Sequence, residues 1–260
     1  MTVAVSTTLQ PYRVAAAELP QSVRLAGDPS GAVVAIGGER WTDAAERAIR
    51  AGAAAVVVRR PEAAPADDLA RLAELAIPIV LDRPLLRADA VVAARAALAG
   101  AGPFATATVE CHAPSRALRD ALRDAVGWTR VLFGADPRVS SSCVEGSASG
   151  GRGLALLEAP DGIPASVIAA ATPGAPPLGR VRATRLGETL VEVDGDEHQQ
   201  RIEVADAAGR RVLPRLFESP ERVALRRAVA AVLAGQATRD VVEFARDDAL
   251  AAALGAVATA

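Results

Sequence analysis

The stretch AVVAIGGERWTDAAERAIRAGAAAVVVRRPEA, residues 32–63, decides how the first part of this chain folds. Two short apolar runs, Ala32–Ile36 and Ala54–Val58, flank a segment that mixes alanines and charges at helical spacing. Unbroken runs of Val and Ile suit strands covered on both faces, so the pattern predicts a strand, a helix over Thr42–Ala51 and a second, parallel strand. That second strand stops abruptly at Arg59, Arg60 and Pro61. In open α/β sheets such an end either delivers side chains to a ligand or meets water as a salt-bridged edge.

The same grammar extends in both directions. Upstream, Thr2–Ser6 reads as a strand, Tyr12–Leu19 as a short helix and Ser22–Ala26 as a strand. Downstream come a helix over Pro65–Leu75, a strand over Ile77–Leu81 and a helix over Ala88–Leu98. Alternation of this kind predicts βαβ units and a reduced Rossmann-like parallel sheet domain spanning residues 1–100. After AGAGP, residues 99–103, FATATVECHA alternates like a half-exposed strand. SRALRDALRDAVGWTRVLFG then places Leu118, Leu122, Val126 or Ala125, Thr129 and Leu132 on one helical stripe. Short strands between Gly, Pro and Asp turns follow, so residues 101–260 read as an α+β domain with an open, mostly antiparallel sheet. A late helix opens at Ser219 as N-cap with Pro220 and Glu221 in its first turn, and closes at Gly235. A last helix begins near Arg239 with Thr238 as the expected cap.

Composition narrows the function classes. Of the 260 residues, 51% are hydrophobic and 23% charged, with a net charge of −2 and no long block of either sign, so the basic stripe of a nucleic-acid binder is missing. No apolar run reaches the length of a membrane span, and the start MTVAVSTTLQPYR lacks the pattern of a secretory leader; a cytoplasmic protein with no membrane partner is expected. Every basic residue is arginine, so no ammonium side chain exists for a Schiff base or a general acid. Cys111 and Cys143 are too few for a disulfide framework and have no metal-ligand spacing; both are expected as small buried hydrophobes, and no metal is expected. Trp41 and Trp128 read as core or interface anchors, and His198 as a surface residue.

Taken in order, these segments resemble the glucose-fructose oxidoreductase, inositol dehydrogenase and MocA (Gfo/Idh/MocA) family along nearly the whole chain. Residues 32–63 resemble its stretch from the fourth Rossmann strand to a Glu-Lys-Pro motif. GRGLALLEAPDGIPASVIAAATPG, residues 151–174, resembles its middle sheet strands, and ESPERVALRRAVAAVLAGQ, residues 218–236, its late helix. The resemblance implies a Rossmann domain, an open sheet used for association, and dinucleotide-dependent hydride transfer in an interdomain cleft.

The departures identify the chain as a truncated, degenerate member. Where the family has a glycine-rich turn that lets a pyrophosphate approach a helix N-terminus, this sequence has VSTTLQPYR, residues 5–13, with no glycine and with Pro11 removing an amide donor. Asp28 stands where a family acid holds a ribose, but it precedes Pro29 as a turn residue does, and a βαβ-sized segment is missing after it. The family's functional lysine falls on Arg60, which cannot release a proton near neutral pH. Its Asp, its acid-base His and its second Asp on one helix fall on Asp120, Asp124 and Gly127.

Three readings stay open at this stage. The first is an oxidoreductase-like protein without cofactor that binds, scaffolds or regulates, as a homo-oligomer or in a hetero-complex through the open sheet. The second is a non-redox isomerase, lyase or cyclase that takes a small molecule in the interdomain cleft. Its candidate catalytic residues are Asp120, Asp124, Arg60, Asp82 and His112, with the two helical carboxylates as acid and base. The third is an atypical NAD(P)-dependent reductase. Against the catalytic roles stand solvated strand ends, a charged helix face in which Arg116, Arg119, Asp120, Arg123 and Asp124 pair among themselves, and a hydrogen-bonded structural histidine.

Overall fold

The computed structural model describes residues 2–147 and 150–256. In its first part, β1 (Val3–Thr7), α1 (Gln10–Ala17), β2 (Val23–Leu25), β3 (Val33–Ile36), α2 (Trp41–Arg50), β4 (Ala55–Arg59), α3 (Ala66–Ala73), β5 (Ile79–Asp82) and α4 (Ala88–Leu98) follow one another. The second part contains β6 (Phe104–Ala113), a 3-10 turn at Ser115–Ala117, α5 (Leu118–Phe133), β7 (Arg138–Ser147), β8 (Gly150–Glu158), β9 (Pro164–Ala171), β10 (Arg180–Gly187), β11 (Leu190–Asp196), β12 (Gln200–Asp206) and β13 (Gly209–Val212). The helices α6 (Pro220–Ala234) and α7 (Asp240–Ala256) complete it.

Contacts divide the chain into two compact units. One comprises the residues up to Arg83 together with Phe217–Arg246; the other comprises Pro84–Leu216 and the residues from Asp247 onward. This partition differs from a single boundary at residue 100. Helix α4 packs on α5, β11 and β12, whereas α6 returns to β3, β4 and β5.

The first unit holds a parallel sheet in the order β2-β1-β3-β4-β5. Val56, Val57 and Val58 are fully buried because the sheet is covered on both sides. Tyr12, Ala15 and Ala16 of α1 and Leu225 and Ala228 of α6 pack against Val5, Val33 and Val57. Trp41 and Ala45 of α2, Leu69 and Leu72 of α3 and Phe244 of α7 pack against Val56, Val58 and Leu81. The six-strand Rossmann order 3-2-1-4-5-6 has one strand more. Here β2 is the edge, and residues 26–32 lead directly from it to β3 on the far side of β1. Asp28 serves that join as a turn residue, its Oδ1 accepting the Ser30 amide at 2.8 Å.

The second unit holds an eight-stranded sheet in the order β13-β12-β11-β10-β6-β9-β8-β7, antiparallel except for the β6–β9 pair. Ala107, Val109 and Cys111 of β6 and Val181 and Ala183 of β10 share a core with Ala121, Ala125 and Trp128 of α5. Trp128 is anchored by its Nε1, which donates to the Leu85 carbonyl at 2.7 Å.

Three local expectations change. Cys143 is exposed, because β7 is an edge strand and alternate side chains of an edge leave the core. Thr238 does not spend its hydroxyl on α7: the oxygen accepts the Ile79 amide at 3.2 Å and donates to the Ile79 carbonyl. The charged face of α5 is not simply solvated, since Arg123 and Asp124 are buried. At α6, in contrast, Ser219 Oγ accepts the Arg222 amide at 3.3 Å and Gly235 ends the helix in the left-handed region, as the sequence pattern requires.

Candidate functional site

In open α/β sheets, ligands bind outside the carboxyl ends of the strands where the strand order reverses. In the first unit that point lies between β1 and β3. A crevice of ≈ 530 Å³ opens there, lined among others by Ser6, Thr8, Arg13, Gly27, Ala35 and Ile36. The β1–α1 turn beside it is held by side chains. Thr7 Oγ1 donates to the Ala35 carbonyl at 2.9 Å and accepts the Leu9 amide at 3.1 Å. Leu9 is extended, α1 starts at Gln10, and Pro11 lies in its first turn without an N–H. Hydroxyls and a leucine therefore occupy the turn where a bare glycine backbone would have to meet a pyrophosphate.

A second group of polar side chains gathers where β4 and β5 end. Arg59 and Asp82 are register partners, and the Arg60 amide donates to the Asp82 carbonyl at 3.0 Å. Arg60 has a left-handed backbone, φ 51°, and an exposed side chain. A Cβ on Gly38 would stand 1.8 Å from the Arg60 carbonyl oxygen, so only glycine fits at that contact. Tyr12 of α1, fully buried, donates from Oη to Asp82 Oδ2 at 2.8 Å. Arg59 Nε lies 3.4 Å from Glu221 Oε1 in the first turn of α6.

Burial raises the Asp82 carboxyl to about 6, against the opposing Tyr12 hydrogen bond; Glu221 raises it further, and Arg59 and Arg60 hold it down. Burial, followed by the charge and hydrogen bond of Asp82, pushes the Tyr12 phenol well above its ordinary value. A half-buried carboxyl raised to about 6 beside two arginines and a tyrosine has the chemistry of a proton acceptor for a polar ligand.

The helix candidates sit differently. Asp124 is buried, and its Oδ2 accepts the Leu85 amide at 3.2 Å. Arg123 lies between Asp120 at 3.0 Å, Asp248 at 3.6 Å and Asp124 at 3.9 Å. Burial raises the Asp120 carboxyl, as do Asp124 and Asp248, while Arg123 lowers it. Asp120 and Asp124 are thus joined through a shared guanidinium inside a structural network. His112 is not with them: it is exposed, while its neighbours Cys111 and Ala113 face the core that contains α5. Among the described residues, no group of three or more His, Cys, Asp or Glu side chains is placed to hold a metal ion.

Sequence reading named Arg60 and Asp82 but missed Tyr12, Glu221, Arg123 as the hub of three carboxylates, and Asp248. Only Tyr12 left a signal. It is the single tyrosine of the chain and lies one turn beyond the β1 end, on the face that α1 turns toward the sheet.

No protein-family model and no curated protein matches the sequence. Solved structures do match the fold. UDP-N-acetylglucosamine 3-dehydrogenase GnnA from Acidithiobacillus ferrooxidans aligns over 99% of this chain and 97% of its own, with a TM-score of 0.72 at 14% identity. KijD10, a 3-ketoreductase from Actinomadura kijaniata solved with TDP-benzene and NADP, aligns over 98% and 97%, with a TM-score of 0.67 at 13% identity. An oxidoreductase from Sinorhizobium meliloti aligns over 100% and 98%, with a TM-score of 0.73 at 12% identity. The chain shares the fold of these three proteins.

At these identities the likeness is one of architecture: a Rossmann-like parallel sheet and a mostly antiparallel open sheet, each with its helices. Among the described residues, no helix is long and apolar enough to cross a membrane.

Proposed function

We propose that this chain is an oxidoreductase-like protein that has lost dinucleotide binding and hydride transfer and acts in the cytoplasm as a binding, scaffolding or regulatory subunit. One observation carries the reading. The β1–α1 turn is closed by Thr7, which ties Leu9 to the Ala35 carbonyl, so the turn is filled by side chains rather than left open to a pyrophosphate. Two further features support it. Residue 60 is an arginine, a residue type that does not serve as a proton donor to an alcohol near neutral pH. Asp124 is engaged by the Leu85 amide and Arg123.

The outer face of the eight-stranded sheet suits association, as a homo-oligomer or a hetero-complex. Leu154, Leu156 and Ile168 stand exposed on neighbouring strands, with Leu154 and Ile168 in direct register. Sedimentation of the full chain, alone and with Leu154→Glu, tests this partner surface; a monomer at all concentrations argues against a homo-oligomer.

Calorimetric titration with NAD(H) and NADP(H) tests the main claim. No saturable binding is expected, and stoichiometric binding of any of the four would overturn it. A second reading, a non-redox isomerase, lyase or cyclase, is favoured by one observation: Asp82, raised to about 6, bonded to Tyr12 and flanked by Arg59 and Arg60. An activity that disappears in Asp82→Asn would establish this reading over the first.

A further inference from the structure

The crevice of ≈ 530 Å³ at the carboxyl ends of β1 and β3 lies within the first unit, and its walls present two kinds of surface. Leu25, Ala26, Val34, Ala35 and Ile36 make an apolar side, on which Leu25 stays exposed. Ser6, Thr8 and Arg13 make a polar side. The volume falls in the range of small-molecule sites, which are mostly apolar with a few polar groups that orient the ligand.

The polar side is accessible and is not consumed by the fold. Thr8 and Arg13 are exposed and Ser6 is half-buried. Thr7, between the two hydroxyl residues, makes the bonds that close the β1–α1 turn. Among the described residues, in contrast, the Ser6 and Thr8 hydroxyls bond to no other group and the Arg13 guanidinium pairs with no carboxylate. The first turn of α1 carries no acidic residue, so nothing there repels a negative ligand. A guanidinium without a counter-charge suits an oxyanion, and two hydroxyls beside it can donate to the same group.

The turn limits how much anion fits. Thr7 ties Leu9 to the Ala35 carbonyl, Pro11 brings no N–H, and Arg13 is the single cation among the walls, which provides for one phosphate but not for a pyrophosphate. The apolar side next to it suits a flat, rigid body, which buries surface at little cost in conformational freedom.

We propose that this crevice binds a nucleoside monophosphate, with its phosphate on Arg13 and the hydroxyls of Ser6 and Thr8 and its base on the apolar side at Leu25. It rests on the reading that the chain has lost dinucleotide binding, and it names the ligand to which such a binding or regulatory subunit responds.

Calorimetric titration of the full chain with the 5′-monophosphates of adenosine, guanosine, cytidine and uridine, with ribose 5-phosphate, NAD(H) and NADP(H) in parallel, tests it. At least one monophosphate is expected to bind saturably and about tenfold or more tighter than ribose 5-phosphate, which has the anion but no base. Arg13→Glu, at an exposed position, is expected to weaken that ligand by about tenfold or more, as loss of a charge-assisted contact with added repulsion requires. Arg47→Glu, on the exposed side of α2 and outside the crevice, makes the same change of charge and is expected to leave the affinity as it was. If no monophosphate binds better than ribose 5-phosphate, if Arg13→Glu binds it unchanged, or if Arg47→Glu weakens it as much, the proposal is overturned while the loss of dinucleotide binding stands. If a dinucleotide binds as tightly as the best monophosphate, that loss is refuted and the proposal falls with it.

Discussion

Tyr12 Oη donates a 2.8 Å hydrogen bond to Asp82 Oδ2, linking the first turn of α1 to the end of β5. The donor is fully buried and its acceptor titrates at about 6, so the pair couples the packing of the first unit to pH.

The folded-state value for Asp82 lies above the ordinary 3.8, so the native state holds this proton more tightly than the unfolded chain does. The corresponding stability is complete below the unfolded value and is lost as pH rises through about 6. At neutral pH the ionised carboxylate therefore costs up to about 3 kcal/mol. Asp82→Asn should stabilise the protein at neutral pH by an amount on that order or less, with little gain near pH 4. Urea denaturation at the two pH values measures the difference, and equal gains at both would contradict the assignment.

Tyr12→Phe removes the donor while keeping the ring. The variant should lose about 1.5–3 kcal/mol at neutral pH, where the bond is to a charged acceptor, and less in acid. Asp82 should then titrate above its present value, because the Tyr12 bond lowers it. Since Tyr12 is the only tyrosine, near-ultraviolet absorbance reports its ionisation directly. In the unmodified protein tyrosinate should appear only well above pH 10.

Gly38 faces the Arg60 carbonyl so closely that a methyl group has no room. Gly38→Ala should shift the β4–α3 loop or cost several kcal/mol in denaturant unfolding, on the order of a strained backbone contact. A variant that melts like the parent would show that the loop yields easily.

In the second unit, Arg130 meets Asp247 through two buried bonds of 3.0 and 3.1 Å. Arg130→Ala leaves a buried carboxylate without its main counter-charge and should cost about 3–5 kcal/mol. Replacing both residues, Arg130→Met with Asp247→Leu, should recover most of the loss, and thermal unfolding of the three variants reads it out.

The sequence by itself determined what depends on near neighbours along the chain. The valine run of β4 specified a strand buried on both faces, Ser219 and Gly235 set the ends of α6, and Asp28 made its turn. The order of these elements carried the family resemblance, and the lack of lysine and of a glycine turn was plain from composition. Periodicity and capping are local, so they survive in a linear reading. Tertiary structure alone decided which side chains meet. Tyr12 lies 70 residues from Asp82, and Arg59 lies 162 from Glu221. The charges of α5 looked like a solvated face because nothing local announces that Asp247 and Asp248, far along the chain, pair with Arg130 and Arg123. His112 was separated from Asp124 by the alternation of β6, whose phase relative to the core is set only when α5 packs on the sheet. Burial and charge pairing arise from such distant partners, and they set the titration of Asp82.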